Sequence, residues 1–309
     1  MKILITGGCG FIGTNLVSRL ADNPDIEIRV FDNETLGKRA HLNGFDGEFI
    51  HGDMRDAAAV AAAVAGVDAV VHLAADTRVM DSIADPQYNF QVNVLGGFNL
   101  LEAMRAEGVE RLVNASTGGA IIGEATPPVH EDMVARPMSP YGAAKLMMEG
   151  YCSAYAGSYG WKALSLRFSN VYGPKSFHKG SVVAAFFKEI LKGNPLIVYG
   201  DGEQTRDFVF VGDLCQGIAA GLKGDATGAI QLGSGRPLTI NALIVAMKRV
   251  VAPVKIEVEY RPHRAGEVRD TWCQIDRART DLGFDPSTPL EDGLAETWAW
   301  FLAQRANGG

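Results

Sequence analysis

The sequence predicts an α/β protein, a doubly wound parallel sheet followed by a second, smaller α/β domain. Three observations predict it. Short β-branched runs alternate with longer helical patterns through the first half of the 309 residues, as expected for strands joined by crossover helices. A glycine-rich turn, Gly7-Gly8-Cys9-Gly10, separates the first such run from the first helical pattern. After about Tyr172 the chain becomes richer in Gly and Pro, with shorter elements, as at Gly173-Pro174, Gly193-Asn194-Pro195 and Gly200-Asp201-Gly202.

In chain order, Lys2–Ile5, Glu27–Phe31, Ala69–His72, Arg111–Asn114 and Ala163–Phe168 read as strands, short and mostly apolar, which suits a sheet covered on both faces. Phe11–Ala21, Ala57–Ala65, Pro86–Ala106 and Tyr141–Tyr159 read as helices. The Ala-rich stretch from Ala57 to Val67 is cut off by Asp68, far short of the roughly 20 apolar residues of a membrane span; its alanines express helix propensity. The expected division is a dinucleotide-binding domain over 1–172 and a substrate domain over 173–309, with 207–233 returning to the first. Within that returning segment, Asp207–Val211 and Ala229–Leu232 are strand-like and are assigned to the first sheet. No repeat or long linker separates the domains, so the second packs directly on the first.

With 29 basic and 36 acidic residues the net charge is −7, which excludes a nucleic-acid coat and an anionic-membrane binder. An anionic ligand must then meet a local cluster of positives. Cys9, Cys152, Cys215 and Cys273 lie far apart with no CxxC pair, and none of the six histidines has a partner at ligand spacing, so neither disulfides nor a metal site is expected. The start of the chain lacks the basic, apolar and small-residue regions of a secretory signal. A reduced, cytoplasmic setting is expected.

Thr6-Gly7-Gly8-Cys9-Gly10-Phe11-Ile12-Gly13 follows the first strand and opens the first helix. Glycines there allow a sharp turn, close approach to a pyrophosphate and tight helix–strand packing. The helix start offers free N–H groups and a positive dipole end to phosphates. This is the context of a Rossmann-type dinucleotide site, with Gly7, Gly10, Phe11, Ile12 and Gly13 against the cofactor. Asp32, nineteen residues past Gly13 at the end of the second strand and followed by Asn33, can accept from an adenosine ribose and repels a 2′-phosphate, which favours NAD. Lys38 and Arg39 are a counter-signal for NADP.

Tyr141 and Lys145 are four apart near the start of a helix, on one face. A neighbouring ammonium lowers a phenol pKa from about 10 toward the working range, giving a general base for a substrate alcohol. Ser116-Thr117-Gly118-Gly119 places small hydroxyls at the carboxyl end of another strand, where ligands sit in this architecture.

With these motifs the sequence resembles the extended short-chain dehydrogenase/reductases, in particular NAD-dependent nucleotide-sugar epimerases and dehydratases of the UDP-glucose 4-epimerase type. The resemblance covers nearly the whole chain: the glycine motif, His72-Leu73-Ala74-Ala75, Tyr141 to Lys145, Asn170-Val171-Tyr172-Gly173-Pro174, Gln204-Thr205-Arg206-Asp207-Phe208 and Arg264-Ala265-Gly266-Glu267-Val268. It implies Asp53 and Met54 at the adenine, Leu73, Ala74, Ala75 and Asn93 along the cofactor channel, and Lys145 on the nicotinamide ribose. Thr117 is the implied hydroxyl partner of Tyr141, with Ser116 the alternative.

On the substrate side the resemblance implies a UDP-sugar held by Asn170, Val182, Arg206, Arg264 and Glu267, with Tyr199 stacked on the base; Arg is well shaped for phosphate oxygens. Lys179 reads as a solvated loop charge. Thr271 stands at a position that gates bulk near the hexose, and its small side chain predicts a roomy pocket. The implied activity is 4-epimerisation through a transient 4-keto sugar, because Gly118-Gly119 replaces the acids that dehydratases and decarboxylases carry after the catalytic Thr. A nucleotide-sugar dehydratase or reductase is the alternative enzyme, and a silent NAD-sensing protein the alternative outside catalysis. A homodimer, built on the helices that contain Asp85–Ala106 and Tyr141–Tyr159, is implied as in related proteins.

Overall fold

The computed structural model describes residues 1–263 and 268–306. The first unit opens with β1 (Lys2–Thr6), α1 (Phe11–Ala21), β2 (Glu27–Asp32), β3 (Glu48–His51), α2 (Ala57–Val64) and β4 (Ala69–His72). A helical stretch follows, α3 (Val79–Ala84), α4 (Pro86–Phe90), a π turn over Gln91–Leu95 and α5 (Gly96–Glu107). Then come β5 (Arg111–Thr117), α6 (Gly118–Ile122), α7 (Pro140–Tyr159) and β6 (Lys162–Phe168). The remainder runs β7 (Asn170–Tyr172), α8 (Val182–Lys192), β8 (Leu196–Tyr199), β9 (Thr205–Phe210), α9 (Val211–Lys223) and β10 (Gly228–Leu232). It ends with β11 (Pro237–Thr239), α10 (Ile240–Val250), β12 (Val258–Arg261), α11 (Asp276–Leu282) and α12 (Leu290–Ala306).

Seven parallel strands form the main sheet in the order β10-β6-β5-β4-β1-β2-β3. The chain leaves β1 toward β2 and β3, then crosses back to β4, so the order reverses between β1 and β4. Ligands bind outside the carboxyl ends at such a point. Leu4, Val70 and Leu112 pack on one face with α2, α5 and α7. Ile3, Ile5 and Val71 pack on the other with α1 and α9. Toward the end of the chain, Phe187 of α8 packs against Trp298 and Phe301 of α12 with ring centroids 5.3 and 5.6 Å apart.

The two strand-like segments of 207–233 part company. Gly228–Leu232 pairs with β6 at the edge of the main sheet. Asp207–Val211, expected there too, instead contributes to β9, which pairs with β7 and β11 in a separate three-stranded sheet. The reason is the edge position: β10 takes the free side of β6, and β9 is occupied by β7 and β11, with its Asp207 carboxylate accepting from Ser234, Gly235 and Cys273. Among the described residues no helix is long and apolar enough to cross a membrane, and no group of His, Cys, Asp and Glu could hold a metal ion.

Candidate active site

Two cavities open at the carboxyl ends of the main sheet. The first is lined by Gly7, Gly10, Asp32, Asp53, Met54 and Ala74, with Asn33, Leu73 and Ala75 beside them. Gly7 has φ +71°, and a Cβ there would lie 2.6 Å from the Ala74 nitrogen. A Cβ on Gly13 would lie 2.4 Å from the Gly7 carbonyl oxygen. The backbone thus folds on itself with no room for side chains. Gly10 caps α1 without a side-chain bond, so the Phe11, Ile12 and Gly13 amides of the first turn are left for a ligand.

Asp32 accepts from the Cys9 amide at 2.9 Å and the Glu34 amide at 2.7 Å. Burial nevertheless pushes its pKa above the ordinary value. Two backbone bonds leave lone pairs for a ribose diol, since a carboxylate has about four acceptor sites. Lys38 turns its ammonium onto the Glu34 carbonyl at 2.5 Å, and Arg39 stacks on the Phe49 ring at 4.9 Å; neither lines the cavity. Asp53 takes three bonds from Arg55, two from the guanidinium and one from its amide, and one from Asn33, which hold its carboxyl far below the usual range. Asn93, in the π turn, does not line the cavity. Its side chain clamps the loop after β4, accepting from the Asp76 amide and donating to the Asp76 carbonyl, both at 2.8 Å. Asp76 and Arg78, from the loop after β4, and Tyr88 of α4 line the cavity as well; no motif in the sequence marks them, and Asp76 is placed by Asn93 across seventeen residues.

The second cavity, of about 1030 Å³, is lined by Thr117, Gly118, Gly119, Asn170, Arg206 and Thr271, among others. Ser139 caps α7 by accepting from the Gly142 amide at 3.2 Å, and Pro140 fits its first turn. The Tyr141 amide is held by Ser82 of α3 at 3.3 Å. Tyr141 is buried, and Thr117 is the side chain that lowers its phenol pKa against burial. Lys145 donates to the Ala115 carbonyl at 2.8 Å. Ser116 points elsewhere, donating to Glu149 at 2.6 Å.

The lowered phenol expected from the Tyr–Lys spacing is not what this ligand-free arrangement gives. Burial pushes Tyr141 up to about 12, with Asp76 adding to the rise and Thr117 opposing it. Burial also pushes Lys145 down to about 8, opposed by Glu149. Desolvation disfavours both charged forms and is the largest influence on each.

The remaining substrate-side residues divide. Arg206 donates to the Thr205 carbonyl at 2.8 Å and the Arg269 carbonyl at 2.7 Å, so its guanidinium is anchored at the cavity wall. Tyr199, ending β8 beside Arg261, and Val182, opening α8 and packed on the core, are not among the lining residues. Arg264 and Glu267 lie outside the described residues. Lys179 is turned inward, donating to Thr77 at 3.2 Å, with its pKa lowered by burial. His72 is a packed core histidine, hydrogen-bonded to Thr6 at 2.8 Å and pushed down to about 3 by burial. Asp207, within the Gln204 to Phe208 motif, and Gln231, which no local pattern announces, also line the cavity.

A model of the NAD dependent epimerase/dehydratase family matches residues 3–233. The chain belongs to that family. This epimerase/dehydratase is 34% identical to a UDP-glucose 4-epimerase of Mycolicibacterium smegmatis over 97% of its own length and 98% of the relative's. Among solved structures it is similar to the Thermus thermophilus UDP-glucose 4-epimerase in complex with NAD, with TM-score 0.91 and 38% identity over 98% of this chain and 99% of that one. It is also similar to a UDP-N-acetylglucosamine 4-epimerase of Methanobrevibacter ruminantium in complex with UDP-N-acetylmuramic acid, with TM-score 0.93 and 31% identity over 98% of both chains. The cofactor of the family, NAD, fits the first cavity of this epimerase/dehydratase, where the glycine turn is a cradle that a single Cβ would fill.

Proposed function

We propose that the chain is a UDP-hexose 4-epimerase whose sugar pocket accepts a substituent at C2. The observation that carries this reading is the set Thr117, Tyr141 and Lys145 beside a cavity whose only acid, among the described lining residues, is Asp207. That carboxylate already accepts from the Ser234 amide at 2.6 Å, the Ser234 hydroxyl at 2.7 Å and the amides of Gly235 and Cys273. It is not free to protonate a leaving hydroxyl. Elimination of water lacks an acid, whereas inversion at C4 needs none beyond a base for the C4 hydroxyl.

In this reading Arg206 and Asn170 hold the diphosphate at the cavity wall, with Arg264, Glu267, Val182 and Tyr199 assigned to the nucleotide by resemblance. Thr117 and Tyr141 meet the C4 hydroxyl, and Tyr141 takes its proton. Bound NAD supplies a reversible two-electron acceptor beside C4. Lys145 keeps a positive charge next to the phenol as the proton moves. A pocket of this width lets the 4-keto sugar present its other face, and Tyr141 returns the proton.

Product NMR tests the proposal with UDP-glucose, UDP-N-acetylglucosamine and UDP-glucuronic acid. The expected result is a mixture of C4 epimers from the first two with no accumulation of NADH; loss of water or stoichiometric NADH overturns it. Thr271 Oγ1 lies 3.4 Å from where a Gly119 Cβ would stand, so a Tyr at 271 would cross the cavity. Thr271→Tyr is therefore expected to lower kcat/KM for UDP-N-acetylglucosamine by at least about tenfold relative to UDP-galactose, read in parallel assays.

We further propose a homodimer through one helical face. Leu95, Phe98, Tyr151 and Tyr159 are exposed, and Phe98 packs edge-on against Tyr151 with centroids 5.6 Å apart, joining α5 to α7. Apolar side chains on two adjacent helices form a face that a second copy can cover by the same patch. Phe98→Asp combined with Tyr151→Asp is expected to give monomers in sedimentation velocity where the parent chain gives dimers. Equal sedimentation of the two would reject this interface.

A further inference from the structure

We propose that Glu149 is a positioning residue for Tyr141 and Lys145, acting through a buried ion pair with Arg167 that fixes how α7 sits against β5. The inference rests on the epimerase reading for its kinetic arm only. Tyr141, Lys145 and Glu149 are four residues apart in turn, so they rise along one face of α7. Three consecutive residues of β5 each engage one of them. Thr117 lowers the Tyr141 phenol pKa, the Ala115 carbonyl accepts from Lys145 at 2.8 Å, and the Ser116 hydroxyl donates to Glu149 at 2.6 Å.

The Glu149 end is the strongly built one. Arg167 stands opposite Ser116 in the register of β5 and β6. Its Nε donates to both Glu149 oxygens at 2.9 and 3.2 Å, and its Nη2 donates to Oε2 at 2.7 Å. Both side chains are under 10% exposed. Such a pair adds little net stability over apolar side chains of similar size, because desolvation offsets the attraction. It does define geometry, since a forked guanidinium meets a carboxylate in few orientations. A one-residue slip of α7 would break all three contacts to β5 together.

The pair also sets the local charge. Glu149 is the largest influence keeping a proton on Lys145 against burial. The other groups facing Lys145 are Cys152 on α7 and His72 on β4, with Asp76 near Tyr141 from the loop after β4. His72 is neutral, being pushed down to about 3, and burial raises the Cys152 thiol to about 12. Of these groups, Glu149 contributes most to holding the Lys145 ammonium charged. Removing it lowers the Lys145 pKa, so the ammonium is lost at lower pH.

The test compares the parent chain with Glu149→Gln and with the double variant Glu149→Met/Arg167→Met, using melting temperature, lysine side-chain NMR titration of Lys145 and the pH profile of kcat. Glu149→Gln leaves Arg167 buried and uncompensated and is expected to melt lower. The double variant is expected to melt close to the parent. In it Lys145 should titrate about one unit lower, kcat should fall about tenfold or more with KM within about twofold, and the basic limb of the profile should move to lower pH. A double variant with the Lys145 titration and kcat profile of the parent overturns the proposal, whatever its melting temperature. If the parent converts no UDP-hexose, the epimerase reading fails, and the NMR titration alone still decides this inference: an unmoved Lys145 rejects it and a lowered one upholds it.

Discussion

Tyr141→Phe is expected to lower kcat for UDP-hexose epimerisation by about 10²- to 10⁴-fold, the usual contribution of a positioned general base, while bound NAD is retained. The side chain is buried at the start of α7, with Thr117 the side chain that favours its charged form. Loss of one oxygen therefore removes a proton acceptor without opening the core, and the ring keeps its packing. KM should change little, because Arg206 and Asn170 lie on other elements. Burial holds the phenol up to about 12 in the ligand-free protein, so activity should climb with pH through the neutral range until Lys145, pushed down to about 8, begins to lose its proton. Full activity in the Phe variant, measured with NAD content matched to the parent, would remove Tyr141 from the mechanism.

Gly13→Ala is expected to cost about 1–3 kcal/mol through overpacking and to lower the NAD that copurifies by at least about tenfold, each 1.4 kcal/mol being a factor of ten. The added Cβ would meet the Gly7 carbonyl oxygen at 2.4 Å and the Gly8 Cα at 2.6 Å. Both are backbone atoms, so no side chain can swing aside. To make room the turn must open, which strains the Gly10 amide bond to the Gly7 carbonyl at 3.1 Å and the Gly7 amide bond to Phe31 at 2.8 Å. Gly150→Ala is the control, because its Cβ on α7 meets nothing within 4 Å; it should be neutral or slightly stabilising. Equal NAD content in the two variants, by heat release and absorbance, would show that the turn tolerates a side chain.

Much of the fold was legible because its signals are local. The glycine turn, the Asp at the end of β2 and the alternation of strand and helix are written in spacing alone. Short elements were not: β3 has only four residues and α6 only five, two of them glycine. The π turn at Gln91–Leu95 interrupts a helix whose apolar pattern reads as continuous. The resemblance ties Asn93 to the cofactor channel, whereas the structure gives it a clamping contact with the Asp76 backbone in place of a lining position.

The sequence by itself determined the cofactor turn, the Tyr141–Lys145 spacing and the lack of acids after Thr117, since each depends on residues adjacent along the chain or one helical turn apart. Tertiary structure alone decided that Ser116 turns to Glu149, that Asp207 is consumed by five donors from two later segments, and that β9 joins a sheet of its own. It also decided the protonation balance of the Tyr–Lys pair. Spacing shows that two groups can meet, but desolvation depends on everything packed around them, and that is known only once the chain has closed over the site.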